Sequence, residues 1–113
     1  MSKSAFELFR LAELRARRPD AQPYLEFLRV DSMSAGIYVL AAGSEDSQLP
    51  HREDEIYLVL EGRARFQAGT EDRELSGGEV LYVAARVEHR FHHIEQQLTV
   101  LVLFAPAESA SEG

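Results

Sequence analysis

Residues 49–66 read LPHREDEIYLVLEGRARF, and their pattern decides the fold. Ile56 to Leu60 and Arg63 to Phe66 are short runs rich in strand-favouring residues. Between them lies Glu61-Gly62, where glycine tolerates positive φ, so the stretch predicts two strands joined by a tight hairpin turn. If Glu55 faces inward, the period-2 rule carries Tyr57 and Val59 with it and turns Ile56, Leu58 and Leu60 outward. Both faces of this strand are then apolar, as are those of 97–104. The outer face needs a cover, and the N-terminal segment, a second sheet or a second copy of the chain can each supply one.

Working outward, similar runs punctuated by turn residues predict strands near 24–30, 34–41, 55–61, 63–68, 79–84, 88–93 and 97–104. The links are too short for crossover helices, so sequential strands are expected to pair antiparallel, as in a barrel or sandwich. Ser76-Gly77-Gly78 is the second strong break. Upstream, Phe6, Leu8, Phe9, Leu11 and Leu14 alternate with Glu and Arg, which predicts a short strand or turn followed by a helix that Pro19 stops. The expected organisation is an N-terminal arm over 1–23, an all-β barrel over 24–106 and a disordered tail over 107–113, whose AESASEG is small, polar and acidic.

Composition narrows the function. A chain of 113 residues, 45% hydrophobic, suffices for one domain with a continuous core. With 19 acidic against 12 basic residues, the net charge of −7 repels phosphate backbones and anionic lipid, so nucleic acid and membrane are not expected as partners. A small-molecule ligand is. The absence of cysteine excludes a disulfide scaffold, a thiolate zinc site and a cysteine nucleophile. No stretch reads as a signal sequence or a membrane span, which makes cytoplasmic residence the expectation. No Gly-X-Ser-X-Gly elbow or glycine-rich phosphate loop is present.

What chemistry remains lies in the histidines. His51 sits just before a strand with Glu53 and Glu55 beside it, while His89, His92 and His93 share another strand. Two neutral imidazoles and a carboxylate brought together on neighbouring strands make a three-ligand metal site. On spacing alone, solvated polar positions near loops are the commoner use of such residues.

A resemblance adds to that reading. LPHREDEIYLVLEGRARF looks like the first motif of the cupin family, His-X-His, three or four residues, Glu, six residues, Gly, with His51, Glu55 and Gly62 in place. GEVLYVAARVEHRFHH, residues 78–93, resembles the second motif, Gly, five residues, Pro-X-Gly, two residues, His, three residues, Asn, with Gly78 and His89 matching. Leu49 stands where the first His belongs, Ala84 and Arg86 replace the Pro and Gly, and His93 takes the Asn position.

The resemblance implies a cupin-type antiparallel, jelly-roll-like β-barrel holding one divalent metal ion, Fe, Zn, Mn or Ni, on His51, Glu55 and His89. The family includes dioxygenases, isomerases and decarboxylases as well as non-catalytic members, and small relatives are linked to aromatic polyketide (tetracenomycin-type) synthesis. The expectation is a metal-dependent enzyme, a dioxygenase, isomerase or cyclase, acting on a small organic substrate whose oxygen the metal polarises, or activating dioxygen. The alternative is a non-catalytic module that binds or senses a small ligand. His93 and Tyr57 are the catalytic candidates, and Phe91 joins Tyr57 as a pocket wall. Glu53 has the parity to replace the lost ligand but sits in the acidic run REDE, where solvation is the commoner fate; His92, Arg52, Arg63 and Arg90 are expected at the surface. A homodimer is expected to cover the outer apolar face.

Overall fold

A computed structural model describes residues 5–17, 23–46 and 51–109 of the protein. One helix, α1 (Leu11–Arg17), precedes six strands: β1 (Tyr24–Val30), β2 (Met33–Leu40), β3 (Asp54–Ala68), β4 (Glu71–Ser76), β5 (Val80–Val83) and β6 (His89–Ala105). All pairings are antiparallel, in the order β1-β2-β6-β3-β4, with β5 also paired to β3. The inward residues Tyr57, Val59, Phe66, Phe91, Leu98, Val100, Val102 and Phe104 form one core, as a β-barrel requires. No helix among the described residues is long and apolar enough to cross a membrane.

Alternation on β3 runs as expected at its start. Glu55, Tyr57 and Val59 are buried, while Ile56 is 42% exposed and Leu58 and Leu60 are partly covered. The expected hairpin at Glu61-Gly62 does not form: the chain continues straight through as one strand with register shifts on either side of Glu61. Gly62 does take a positive φ of 107°, and a Cβ there would lie 2.3 Å from the Gln97 carbonyl oxygen and 2.7 Å from the Leu98 Cα. The glycine marks a bulge pressed against β6 rather than a turn. The hairpin comes later, at Gly69-Thr70, and leads into β4. That strand, EDRELS, was not expected, because only Leu75 in it is buried and its polarity hides it. The predicted strands 88–93 and 97–104 likewise merge into β6. The Ser76-Gly77-Gly78 break separates β4 from β5.

The N-terminal arm covers part of the outer face. Phe9 meets Phe27 edge-on at 4.8 Å, Leu14 is buried, and Arg15 pairs with Glu61 at the β3 bulge. Farther along, Val80 and Tyr82 remain 64% and 65% exposed beside Ile56. Pro19, expected to stop the helix, lies outside the described residues. The tail expected to be disordered is docked over residues 107–109: Ala107 N donates to Asp31 O, Glu108 N to Ser34 Oγ and Ser109 N to Glu53 Oε2.

Candidate metal centre and pocket

Folding of the long β3–β6 ribbon creates the site. His89 pairs with Ala68 at the far end of β3, and a straight strand from Glu55 to Ala68 would span about 40 Å. Yet His89 Nε2 lies 3.2 Å from Glu55 Oε1, so the long β3–β6 ribbon must fold over until its two ends meet. The loop after β5 completes the junction: Arg86 N donates to His51 O, and Ala85 N to Asp54 Oδ1. Arg86, standing where the motif has Gly, adopts a φ of 68°, which explains why glycine suits that position.

The three expected ligands come together. His51 Nε2 is 3.9 Å from Glu55 Oε1, and one ligand atom from each of His51, Glu55 and His89 lies within 4.8 Å of the others. Their outer partners fix the rings. His89 Nδ1 is 2.8 Å from Val87 O and so donates to it, while His51 Nδ1 is 3.3 Å from Glu108 Oε2; both Nε2 atoms then face inward. Tyr57 donates its hydroxyl proton to Glu55 Oε2 at 2.7 Å, with its oxygen 3.2 Å from His89 Nε2. His89 Nε2 therefore meets two oxygens that only a positive species satisfies, a proton on the nitrogen or a metal ion in its place.

Electrostatics point the same way. Glu108 raises the His51 pKa above the ordinary 6.5, aided by Glu55 and opposed by burial. Burial also opposes protonation of His89, but its hydrogen bonds to Glu55 and Val87 outweigh that and raise its pKa too. A buried carboxylate that draws protons onto two imidazoles draws a divalent cation as well, and two nitrogens with one carboxylate suit first-row metals.

Other candidates fall elsewhere. His93 is exposed, at a φ of 48°, with its ring against His92. The parity argument that placed it inward fails because β6 runs from His92 to Gln96 while β3 advances only from Arg63 to Arg65; the bulge hands the inward position to Ile94. Phe91 is fully buried beneath Tyr57, at 5.1 Å, and supports the wall without lining it. Glu53 is 4% exposed rather than solvated, and it holds the tail through Ser109 instead of joining the ligand cluster. Arg52, Arg63 and Arg90 are exposed. Leu49 lies outside the described residues.

A cavity of about 190 Å³ opens beside His51, lined by Tyr24, Tyr38, Tyr57, Val102, Phe104 and Glu108. Tyr38 is tied down by donating to Asp46, which also accepts from Phe91 N. Sequence reasoning missed Tyr24, Tyr38 and Glu108. The two tyrosines carried a faint signal in strand parity; Glu108, in a polar tail, carried none. Larger surface grooves of about 450 and 410 Å³ exist, but among the described residues neither holds a converging ligand group.

Fold and site together define a small β-barrel with a His/Glu cluster able to hold a metal ion at the edge of a ligand-sized cavity. The cupin domain matches residues 36–105, and the chain belongs to the cupin family. It is 51% identical over 102 residues to an uncharacterized protein of Streptomyces coelicolor, covering 89% of this chain and 97% of that one. A crystal structure from Thermus thermophilus superposes with a TM-score of 0.73 at 23% identity, over 90% of this chain and 99% of that one. The DMSP lyase DddQ of Ruegeria pomeroyi shares the fold at 21% identity and a TM-score of 0.67, over 86% of this chain and 53% of that one.

Proposed function

We propose that this protein is a metal-dependent cupin enzyme that binds a small organic substrate, aromatic or polyketide-like, in the cavity beside His51. The observation that carries the reading is the convergence of His51, Glu55 and His89 at one edge of a cavity whose remaining walls are mostly aromatic. A divalent ion on these ligands supplies a Lewis acid for a substrate oxygen. The chain does the rest. Val87 O and Glu108 orient the two imidazoles, and Phe66 and Phe91 keep water from the buried side of Tyr57. Tyr57, in contact with both Glu55 and His89, is the proton-holding group nearest the ligands and takes the catalytic role once expected of His93. An enzyme of the same fold, the DMSP lyase, supports catalysis over passive sensing.

The test is metal analysis of protein purified without chelator or nickel resin, followed by competitive titration against a chromophoric chelator. His51→Ala, Glu55→Ala and His89→Ala should each lose at least tenfold in zinc affinity, with His92→Ala unchanged. Equal binding by all four variants would remove the metal from this reading. An oxygen-uptake screen with catechols and β-diketones then separates dioxygenase from non-oxidative chemistry.

A further inference from the structure

The cavity beside His51 combines aromatic walls with a fixed carboxylate. Its exposed surface is mostly carbon, and Tyr24, Tyr38, Tyr57 and Phe104 supply the aromatic part of it. Tyr24 and Tyr38 stand steeply inclined to each other, at 6.2 Å and 72°, and form a corner, while Phe104 packs against the His51 ring at 4.9 Å. The hydroxyls of the three tyrosines are taken up elsewhere. Tyr38 donates to Asp46 and Tyr57 to Glu55, and the Tyr24 hydroxyl is sealed from solvent. These residues therefore meet a ligand with ring carbon and not with hydroxyl groups.

The charge on the wall is negative. Glu108 lines the cavity and is anchored through its own backbone, its N donating to Ser34 Oγ and its O accepting from Arg29 Nη2. Among the described residues no lysine or arginine lines it, and the basic side chain that does, His51, lies between Glu108 and Glu55, at 3.3 and 3.9 Å. Burial raises the Tyr24 pKa, and Glu108, Glu26 and Glu55 raise it further against Arg29 alone, so this corner stands in a negative field. A neutral ring would suit the walls but gain nothing from the carboxylate, and an anion would be repelled by it. A cation gains from both, because the face of an aromatic ring attracts positive charge, the more so away from water.

We propose that the cavity receives a quaternary ammonium head, seated against the rings of Tyr24, Tyr38 and Phe104 with the Glu108 carboxylate as its counter-charge. A cation that carries N–H groups needs acceptors on several sides, which a mostly carbon wall does not offer; a methylated nitrogen needs none. Size agrees. A cavity of about 150 Å³ takes benzene, and a trimethylammonium group has fewer heavy atoms than benzene, so about 190 Å³ accommodates it. The inference rests on the cavity being the substrate site of the proposed enzyme and gives that substrate one permanently charged group.

Choline and 3,3-dimethylbutan-1-ol, which share a shape and differ in the charge of one atom, test it. Both are titrated by NMR into chelator-treated parent, Glu108→Gln, Tyr24→Leu and Tyr24→Phe, whose spectra also report folding. The parent should prefer choline by about tenfold. Glu108→Gln should lower that preference about threefold, with the affinity of the neutral probe held. Tyr24→Leu, which removes the ring, should lower it by a similar factor, and Tyr24→Phe, which keeps the ring and loses only the sealed hydroxyl, should match the parent. A parent that binds both probes equally, or neither, overturns the proposal, as does an unchanged preference in Glu108→Gln. Zinc titration of the same parent preparation keeps the two readings apart. A parent that holds zinc without preferring choline removes only the cation, and one that prefers choline without holding zinc leaves the cation assigned and removes only the metal.

Discussion

Glu108 Oε2 lies 3.3 Å from Nδ1 of His51, so a residue beyond the last strand sets the orientation of an imidazole that precedes β3. The tail that carries it is tied to the barrel from both sides, through Glu108 N to Ser34 Oγ and through Arg29 Nη2 to Glu108 O. An outer carboxylate that fixes a ligand's tautomer is typically worth about 10- to 100-fold in metal affinity. Glu108→Ala should therefore weaken zinc binding by about tenfold, and truncation after Ala107 should do the same. Chelator competition reads both. Parent-like affinity in the truncated chain would mean that the tail does not act on His51.

The same contact governs the pH response. In metal-free protein, His51 and His89 both hold their protons above the ordinary 6.5, so NMR titration of chelator-treated protein should find two histidines titrating above that value. The sign follows from linkage: folded-state pKa values above the unfolded one add stability that is fully present below about pH 6.5 and lost as pH rises through the raised values. Metal binding runs oppositely, since the ion must displace those protons, and zinc affinity should fall as pH drops from about 8 toward 6. A flat affinity across that interval would exclude these histidines as ligands.

Two glycines make a paired test of the strand geometry. Gly62 combines a φ of 107° with backbone of β6 at 2.3 Å from where its Cβ would be, whereas Gly69, at 59°, has nothing within 4 Å. Gly69→Ala should cost about 1 kcal/mol, the ordinary penalty for a left-handed alanine. Gly62→Ala must also push β6 away and should cost about 3 kcal/mol or more. Urea unfolding measures both, and equal losses would mean that the close approach of β3 to β6 is absent.

The Gly62 misreading shows where legibility ends. A glycine between two apolar runs signals special backbone geometry, and the signal was sound; whether it means turn or bulge depends on a partner strand distant in sequence. His93 failed for the same reason, because parity counted from His89 survives only until the first bulge. His51, Glu55 and His89 were legible because motif spacing places them near strand starts, ahead of any irregularity. β4 was hidden by a composition as polar as a loop, and Glu108 by a tail without periodicity. In each miss the deciding contact is long-range.

The outer face yields the last prediction. Ile56 and Tyr82 are register partners on β3 and β5, Leu58 and Val80 are the next pair, and the N-terminal arm packs elsewhere, at Phe27 and Glu61. With Val80 and Tyr82 about two-thirds exposed, this face is more apolar than water tolerates cheaply, and a second copy of the chain is the cover the sequence leads one to expect. Sedimentation should find a dimer at micromolar concentration, and Tyr82→Arg should shift it toward monomer by burying an unpaired charge in the interface. Zinc affinity should be unaffected, because alternation on β3 turns Ile56 away from the side on which Glu55 and Tyr57 meet His89. A parent that sediments as a monomer, or a Tyr82→Arg variant that stays dimeric, would place the interface elsewhere or remove it; a variant that lost zinc with the dimer would show that the site depends on the partner.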